Sequence, residues 1–317
     1  MVDAVGQDSE RRIASAPCAV CSATGLSLYL RVAGTDGPQG LVPTTDRFGT
    51  ALGDIVRCPS CGHMQVAPMP PGEDLRESYA EAESDAYLDE AAGQRATARR
   101  VLEALEAHIR PGRLLDLGCW VGFLLDEASR RGWQGTGVEP SEFASGFARA
   151  QLGLDVQTAE LFDAELPLHE FDAVILGDVI EHLPDPGAAL EELGRLLKPG
   201  GIVVLMLPDA GSRVARLLGR RWWSVIPTHV QYFTRGTIAR LLRDQGFQPL
   251  VMTTQPKAFT MRYYLERIGG YSPTLSRLLV RSAVRLHLAE RLWAPDFRDR
   301  MLVLARRAGS EHQTAAP

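Results

Sequence analysis

The chain has 317 residues, of which 45% are hydrophobic and 23% are charged, a balance typical of globular proteins that bury a substantial core. Its net charge of −5 gives no general basic surface for nucleic acid. The N-terminal segment is polar, and the longest apolar run, residues 201–207, is much shorter than the roughly 20 residues of a membrane span. We therefore expect a cytoplasmic protein of about two domains, with no transmembrane segment and no nucleic-acid partner.

The composition changes along the chain and predicts seven parts. They are a disordered tail (1–14), a cysteine-containing module (15–70), a helical linker or lid (71–110), an α/β core (111–255), a helical insertion (256–298), a final strand (299–309) and a second tail (310–317).

Four of the five cysteines form two Cys-x-x-Cys pairs, Cys18 with Cys21 and Cys58 with Cys61, which are 36 residues apart. Two such pairs complete a tetrahedral four-thiolate site, and cytosolic disulfides are disfavoured. The pattern therefore predicts a structural zinc ion in a zinc-ribbon module. Because four thiolates leave no open position, this zinc should not be catalytic. A site in which His63 replaces a cysteine, and a redox dithiol, stay open as alternatives.

Strands and helices alternate from residue 113 onward, which predicts a parallel sheet covered by helices on both faces. The expected strands are 113–117, 134–138, 171–176 and 201–207, and the expected helices are 122–131, 141–152 and 187–197. A helix over 235–245, a strand over 248–254, a mostly helical stretch over 256–299 and a last strand near 299–309 complete the pattern.

The stretch LLDLGCWVG joins the first strand of the core to a helix and has the form of a nucleotide-binding loop. Ligands of open parallel sheets bind at the C-terminal ends of the strands, where Gly118 permits close approach of the backbone. The second strand ends at Glu139, 23 residues after Asp116, where a carboxylate can accept both hydroxyls of a ribose. Loops of this kind usually have a third glycine at the position that Trp120 occupies.

Two nucleoside cofactors compete for this loop. A dinucleotide requires the spacing GxGxxG and places a pyrophosphate at the helix N-terminus, where the Asp116 carboxylate would repel it. S-adenosylmethionine carries an amine and a sulfonium, which a carboxylate attracts. The charge of Asp116 therefore favours S-adenosylmethionine over NAD.

LLDLGCWVG, VEP, FDAVILGDVIEHLPDP and LLKPGG together resemble the class I S-adenosylmethionine-dependent methyltransferases over residues 111–255, and in part to 307. The resemblance implies a Rossmann-like, doubly wound, seven-stranded sheet whose last strand is antiparallel. It also implies that the first turn contacts methionine, that TAELFD contacts adenine and that LGDVIEHL lines cofactor and substrate. The cofactor-binding residues expected from it are Asp116, Gly118, Cys119, Trp120, Gly122, Glu139, Pro140, Glu160, Leu161, Gly177, Asp178 and Val179.

The segment VRCPSCGHMQVAPMPPGEDLRESYAE resembles the zinc-binding domain that precedes the core in sugar and natural-product methyltransferases. The resemblance implies a small-molecule acceptor, such as a sugar, a nucleotide-sugar or a secondary-metabolite intermediate. Tyr79 and Tyr87 would then close over the cofactor or substrate, although packing within a helix is at least as good an interpretation.

His229 is the candidate general base, because it follows the fifth strand and an unperturbed histidine titrates near neutral pH. Sugar methyltransferases of similar layout have an acid before this histidine, where this chain has Thr228, so their mechanism does not carry over directly. A structural, hydrogen-bonding histidine is the alternative. The expected substrate contacts are Tyr79, Tyr87, His182, Trp222, Trp223 and Tyr232.

Two further features leave alternatives open. Trp120 should pack over the methionine end or form a wall of the acceptor pocket; if it blocked the cofactor instead, the protein would be a zinc-ribbon binding or scaffold protein on a degenerate methyltransferase fold. Residues 256–310 contain 11 Lys and Arg against 4 Asp and Glu. Arg277, Arg281 and Arg285 share one helix face there, which is either simply solvated or docks an anionic or carrier-linked acceptor or anionic lipid.

Overall fold

The computed structural model describes residues 16–34, 48–72 and 88–308. The two expected tails, and residues 73–87 of the segment expected to form a helical linker or lid, lie outside these residues. No helix in the described part of the chain is both long enough and apolar enough to cross a lipid bilayer.

The described residues of the N-terminal module form five short strands: β1 (Ser27–Leu30), β2 (Ala33–Gly34), β3 (Thr50–Ala51), β4 (Asp54–Arg57) and β5 (Met64–Ala67). Strands β1, β4 and β5 form an antiparallel sheet, in which Arg57 pairs with Met64 across the second cysteine pair. Val56 and Val66 are fully buried in this sheet. The small module therefore has an apolar interior as well as its cysteines.

The remaining elements contain the predicted strands and helices in their predicted order, together with several short elements that the sequence does not predict. They are α1 (Ala91–Glu106), β6 (Arg113–Leu117), α2 (Phe123–Arg130), β7 (Gln134–Val138), α3 (Glu142–Leu152), β8 (Asp155–Gln157), β9 (Phe171–Gly177), α4 (Pro186–Leu196), β10 (Leu197–Pro208), α5 (Arg213–Leu218), β11 (Gln231–Tyr232), α6 (Arg235–Asp244), β12 (Phe247–Thr254), β13 (Phe259–Thr260), α7 (Met261–Arg267), α8 (Pro273–Arg285), β14 (Leu292–Trp293) and β15 (Arg300–Arg307).

Seven strands form the central sheet, in the order β12-β15-β10-β9-β6-β7-β8. Strand β15 runs antiparallel to both of its neighbours, and the other pairs are parallel. The expected seven-stranded sheet with an antiparallel last strand is thus confirmed. The chain first builds outward from β6 to β8 and then returns to add β9 on the other side of β6. The crevice between the ends of β6 and β9 is therefore the switch point at which open α/β sheets bind ligands.

Helices cover both faces of this sheet. Leu115 and Leu176 face the core on the side of α4 and α6, whereas Leu114 and Ile175 face the core on the side of α1 and α2. Because successive strand residues point to opposite faces and both faces are covered, the central strands are apolar at nearly every position. This is the reason that the strand positions could be predicted closely.

Short polar side chains begin several of these helices. Ser141 accepts a hydrogen bond from Ala144 N at 3.3 Å at the start of α3, and Asp185 accepts one from Ala188 N at 2.9 Å at the start of α4. Each bond satisfies an N–H group that has no partner within the helix. Both helices begin directly after a segment that lines the crevice, so these caps fix where the crevice walls end.

The stretch between β12 and β15 is only partly helical. Helices α7 and α8 are present, but β13 and β14 pair across the insertion, with Phe259 opposite Trp293. The hydrogen bonds of Thr260 attach this ladder to the N-terminus of α1, because its N–H and hydroxyl both donate to the Glu90 carboxylate at 2.8 and 2.6 Å. A pair of two-residue strands has too little periodicity to be recognised in a sequence. The predicted domain boundaries stay predictions.

The cysteine module is not separate from the core. Its sheet has the order β1-β4-β5-β11, so that the fourth strand comes from the connection between β10 and α6. Gln231 pairs with Gln65 and Tyr232 with Met64. The expected module of residues 15–70 therefore shares a sheet with a segment more than 160 residues further along the chain.

Gly93 lies where helix α1 crosses the insertion. A Cβ atom there would lie 2.3 Å from the carbonyl oxygen of Ala258. Gly→Ala in a helix normally raises stability by up to about 1 kcal/mol, but at Gly93 we expect a lower melting temperature because backbone must move. Thermal unfolding followed by circular dichroism measures the effect.

Gly146 in α3 is the matched control, since a Cβ atom there meets nothing within 4 Å. Gly146→Ala should raise the melting temperature. Equal gains in stability for both variants would contradict close packing between α1 and the insertion.

Candidate active site

A cavity of about 820 Å³ opens at the switch point of the sheet. Its floor is made by the ends of β6, β7, β9 and β10, and the insertion supplies its far wall. Pockets for cofactors and small ligands have volumes of roughly 300–1,000 Å³. The cavity therefore has room for a nucleoside cofactor with a small acceptor beside it.

The loop after β6 takes three left-handed residues, Gly118, Trp120 and Gly122, with φ of +69°, +50° and +81°. A Cβ atom at Gly118 would lie 2.6 Å from Val179, and one at Gly122 would lie 2.5 Å from Leu154. Both glycines are therefore required by the turn. Trp120 takes a backbone conformation that costs a non-glycine residue on the order of 1 kcal/mol, which explains why a glycine is usual at this position.

Glu139 holds this loop in place from the end of β7. One carboxylate oxygen accepts a hydrogen bond from Trp120 N at 2.8 Å, and the other accepts one from Ser141 N at 3.0 Å. Because each carboxylate oxygen has two lone pairs, both oxygens can still accept the hydroxyl of a ribose. Glu139 lines the cavity and therefore has the geometry expected of a ribose-binding acid.

Asp116 and Glu139 place two buried carboxyl groups at the same end of the cavity. Burial raises the pKa of Asp116 to about 8, and the nearby charge of Glu139 adds to the shift. Burial also raises the pKa of Glu139 to about 7. Since a neighbouring positive charge favours the ionised form of an acid, a cationic ligand at this end of the cavity would bind more tightly to the ionised pair.

The turn after β9 begins with Asp178, whose φ is +59°. Its carboxylate forms ion pairs with Lys257 and Arg300, which lie 79 and 122 residues further along the chain. Although burial alone would raise the pKa of Asp178, the Arg300 and Lys257 cations hold it well below its usual range. These two ion pairs thus hold the insertion, which carries Lys257, and the last strand, which carries Arg300, against the floor of the cavity.

His182 and His229 form a pair on the acceptor side of the cavity, with ring centroids 4.6 Å apart. The Nδ1 atom of His182 lies 2.7 Å from the Thr228 carbonyl, and that of His229 lies 2.8 Å from the Ser224 carbonyl. A carbonyl only accepts hydrogen bonds, so both rings carry their proton on Nδ1 and their lone pair on Nε2. Burial lowers the pKa of His182 to about 4 and that of His229 well below its usual value.

The four cysteines of the two pairs come together in the N-terminal module. Cys18 Sγ lies 3.6 Å from Cys61 Sγ, and Cys21 Sγ lies 3.6 Å from Cys58 Sγ. The two turns match, because Ser22 N donates to the Cys18 carbonyl and Gly62 N donates to the Cys58 carbonyl. Ser22 and Gly62, each directly after the second cysteine of its pair, have φ of +58° and +77°.

His63 does not belong to this cluster. All four sulfur atoms lie within 4.8 Å of one another, and in the described part of the chain the group of possible ligands contains these cysteines without His63. The His63 ring instead donates from Nε2 to the Gln231 side chain at 2.9 Å. The His63 side chain therefore links the cysteine module to β11 by a hydrogen bond.

The comparison with known families decides what the core is. A family model described as a methyltransferase domain matches residues 89–251, which is slightly more than half of the chain. The chain belongs to this methyltransferase family. The resemblance to class I S-adenosylmethionine-dependent methyltransferases that the motifs indicated is thereby confirmed, and the sheet order agrees with it.

Several curated relatives of the methyltransferase are named ubiquinone biosynthesis O-methyltransferase. The one from Alkalilimnicola ehrlichii is 40% identical over 100 residues, which is 29% of this chain and 40% of the relative. The one from Stutzerimonas stutzeri is 37% identical over 98 residues, which is 29% of this chain and 42% of the relative. The chain therefore matches only about two fifths of the length of these relatives.

Two of the solved structures to which the chain is similar are named as methyltransferases. Phosphoethanolamine N-methyltransferase 2 of Haemonchus contortus, in complex with S-adenosylmethionine, has a TM-score of 0.48 and 18% identity, covering 74% of this chain and 60% of that one. A possible histamine N-methyltransferase of Thermotoga maritima has a TM-score of 0.46 and 20% identity, covering 68% of this chain and 92% of that one.

Most residues that the sequence assigned to the cofactor line the cavity of the methyltransferase. They are Asp116, Gly118, Cys119, Trp120, Glu139, Pro140, Glu160, Leu161, Gly177, Asp178 and Val179. Gly122 is not among the lining residues; it lies at the start of α2, against Leu154. The side chain of Trp120 lines the cavity and packs against Phe143, with ring centroids 6.4 Å apart.

The expected substrate residues are only partly brought together. His182, Trp223 and His229 line the cavity. Trp222 is buried away from it and donates from its indole to Asp299 at 3.0 Å, and Tyr232 is buried in the core that the cysteine module shares with β11. The positions of Trp222 and Tyr232 thus do not support direct substrate contact. Tyr79 and Tyr87 lie outside the described residues.

Several residues that line the acceptor side belong to none of the sequence motifs. Lys257, Arg300 and the aromatic residues Tyr263, Tyr264 and Phe297 come from the last part of the chain. The excess of Lys and Arg over residues 256–310 is the sequence signal for the two cations, whereas the three regularly spaced arginines of α8 lie on an exposed face. Glu181 lies in the motif GDVIEHLPDP, directly before His182.

We expect the affinity for S-adenosylmethionine to rise with pH up to about 7. The ribose hydroxyls and the positive charge of the cofactor favour ionised Glu139, whose pKa in the free protein is raised to about 7. Below that pH the cofactor must displace a proton, so the Kd should fall by up to about tenfold per pH unit between about pH 5.5 and 7. Isothermal titration calorimetry in buffers of different ionisation enthalpy measures both the affinity and the released proton.

Glu139→Gln should bind the cofactor at least about tenfold more weakly and with a smaller pH dependence. Glu165→Gln, which changes an exposed acid outside the cavity, is the matched control and should retain both properties. An affinity that falls as the pH rises through this range would contradict the assignment of Glu139.

Proposed function

We propose that this protein transfers the methyl group of S-adenosylmethionine to a small-molecule acceptor held in the cavity. One observation carries the proposal: the acidic loop at the ends of β6 and β7 opens into the same cavity as His182, which follows β9, and His229, which follows β10, at the switch point of the sheet. The cofactor would bind at the acidic end, and the acceptor would lie beside the histidines.

The transfer itself requires mainly positioning. An electron pair of the acceptor forms a bond to the methyl carbon, the bond from carbon to sulfur breaks, and its electron pair stays on sulfur, giving S-adenosylhomocysteine. If the acceptor atom carries a proton, the candidate base is the lone pair on Nε2 of His229. The hydrogen bond from Nδ1 to the Ser224 carbonyl fixes that lone pair, and burial keeps the ring neutral.

The acceptor side of the cavity combines aromatic faces with positive charge. Trp223 and Phe297 contact each other edge to face, and Phe259 stacks on Tyr263 with centroids 4.0 Å apart. Lys257, Arg267 and Arg300 line the same side. This lining suits an anionic or carrier-linked acceptor with a flat or ring-shaped body, such as a nucleotide-sugar or a secondary-metabolite intermediate in natural product biosynthesis. The name of the curated relatives favours oxygen as the methylated atom.

We further propose that Cys18, Cys21, Cys58 and Cys61 hold a structural zinc ion. Their sulfur atoms and the two matching turns fit a tetrahedral four-thiolate site. Bound zinc would cross-link the two turns of the module. Because β11 completes the sheet of the module, the cross-link would also hold the segment that carries His229.

The scaffold alternative, in which Trp120 fills the cofactor site, finds no support in the position of this side chain. The indole packs towards Phe143 and leaves the cavity open beside it. The cytoplasmic location that the composition suggests stays a prediction.

His229→Ala tests the proposed base. We expect turnover to fall by about 100-fold or more, as is typical for the loss of a general base, with little change in the affinity for S-adenosylmethionine. Formation of S-adenosylhomocysteine with a panel of phenolic, sugar and nucleotide-sugar acceptors measures turnover, and calorimetry measures affinity.

His169→Ala is the matched control, since His169 is exposed and lies outside the cavity. Folded wild-type protein that failed to bind S-adenosylmethionine would refute the proposed function. Full turnover in His229→Ala would remove the base and leave the methyl transfer standing.

Cys58→Ser tests the structural zinc. We expect the variant to lose bound zinc, as measured by elemental analysis, and to melt at a lower temperature than the wild type. Because the module holds β11, turnover should fall on the order of a hundredfold through misplacement of His229, whereas the affinity for S-adenosylmethionine should change little.

Cys119→Ser is the matched control for this variant, because Cys119 is buried beside the loop of β6 and far from the module in sequence. It should retain the zinc. A Cys58→Ser protein that kept its full zinc content would show that the four-cysteine assignment is wrong.

A further inference from the structure

Glu181, His182 and His229 bring three potential metal ligands together at the edge of the cavity. One carboxylate oxygen and one nitrogen of each ring lie within 4.8 Å of one another. The residues come from two segments of the chain, which are tied by a hydrogen bond from Val230 N to the Glu181 carbonyl at 3.0 Å and by the bond between His182 and the Thr228 carbonyl. The cluster is therefore held by the backbone on both sides.

Each imidazole ring is oriented by a hydrogen bond from its Nδ1 atom. In each ring the Nδ1 proton is directed to a backbone carbonyl, which leaves Nε2 as the atom that carries the lone pair. Histidine ligands in metal sites are oriented by the same kind of hydrogen bond from their second nitrogen. One nitrogen of each ring belongs to the group of possible metal ligands that these residues form with Glu181.

Glu181 supplies an independent observation. Only 1% of the residue is exposed, and neither carboxylate oxygen has a hydrogen-bond partner among the described residues. A buried carboxylate without a hydrogen-bond partner is costly. A divalent cation beside the carboxylate would remove this cost.

We propose that Glu181, His182 and His229 form a binding site for a divalent transition-metal ion, separate from the four-cysteine site. Two imidazole nitrogens and one carboxylate oxygen suit Zn²⁺, Fe²⁺, Co²⁺, Ni²⁺ or Mn²⁺, whereas Mg²⁺ and Ca²⁺ prefer oxygen ligands throughout. Three protein ligands leave at least one coordination position open. His182 and His229 line the cavity, so the open position faces the acceptor side.

The neighbouring charges are compatible with a cation at this site. Lys257 and Arg300 are the positive groups beside it, and both form ion pairs with Asp178. The Asp178 carboxylate neutralises part of the charge of these two cations and so lowers the repulsion that a metal ion would meet. Ionised Glu181 neutralises part of the charge of the ion itself.

The role of the ion in acceptor binding rests on the proposed methyl transfer, whereas ion binding itself does not. A hydroxyl or enol oxygen of the acceptor could occupy the open position, where the charge of the ion favours loss of its proton to solvent. The Nε2 lone pair of His229 can serve either as a ligand or as a base. The metal-bound protein would use it as a ligand and would select acceptors through an oxygen donor.

A cobalt titration of the full-length protein tests the site. Protein with zinc already bound by the four cysteines is freed of other metals and titrated with Co²⁺, with calorimetry and visible absorption as readouts. We expect one further equivalent to bind, with a spectrum of nitrogen and oxygen ligands and without the strong charge-transfer band of cobalt thiolate. Glu181→Gln and His229→Gln should each weaken binding by more than about tenfold.

His169→Gln is the matched control and should bind Co²⁺ like the wild type, since its ring lies away from the cluster, near Leu197 and Arg307. Retained affinity for S-adenosylmethionine shows that each variant is folded. Absence of a further cobalt equivalent, or unchanged binding in the Glu181→Gln, His229→Gln double variant, would overturn the proposal.

The outcomes also separate this inference from the proposed function. Cobalt binding in a protein that does not methylate any acceptor would support the metal site and count against the methyl transfer. Methylation that is unaffected by removal of the ion would overturn its role in acceptor binding while the methyl transfer stands.

Discussion

The backbone of Val230 joins the three parts of this protein. Its carbonyl accepts a hydrogen bond from Val66 in the cysteine module at 2.9 Å, and its N–H donates to the carbonyl of Glu181, in the turn after β9, at 3.0 Å. The residue is fully buried, so neither bond competes with water. Because His229 is the preceding residue, the position of its ring depends on both of these contacts. These two hydrogen bonds thus hold the cysteine module, the turn after β9 and the segment that carries His229 to one another.

The cavity divides into two ends of different chemistry. At the end formed by β6 and β7, Asp116 and Glu139 place buried carboxyl groups against a loop in which backbone N–H groups are already bound by Glu139. At the other end, aromatic rings and the cations of the insertion face the histidine pair. The first end suits a cofactor with positive charge and a ribose, and the second suits a flat or anionic acceptor. A methyl group presented by the first end would face the second.

Trp120 stands at the position where loops of this kind usually have a glycine. The loop requires a left-handed backbone at this position, where φ is +50°, and a glycine would meet the requirement without strain. A tryptophan in this conformation carries backbone strain on the order of 1 kcal/mol. Two contacts offset the strain, namely the hydrogen bond from Trp120 N to Glu139 and the packing of the indole near Phe143. The same side chain therefore forms part of the cavity wall without closing it.

The positions of the core strands follow from the sequence alone, because strands that are buried on both faces appear as apolar runs. The acidic loop also follows from the sequence, because Asp116, Gly118 and Glu139 stand at or directly after the ends of predicted strands. The sequence also determined the grouping of the four cysteines by their spacing. Only the tertiary structure decided the acceptor side. Lys257 and Arg300 reach Asp178 across 79 and 122 residues, and Glu181 meets the segment that carries His229 through the hydrogen bond from Val230 N to the Glu181 carbonyl. Contacts between residues so far apart follow from how the elements pack, and no local pattern in the chain records them.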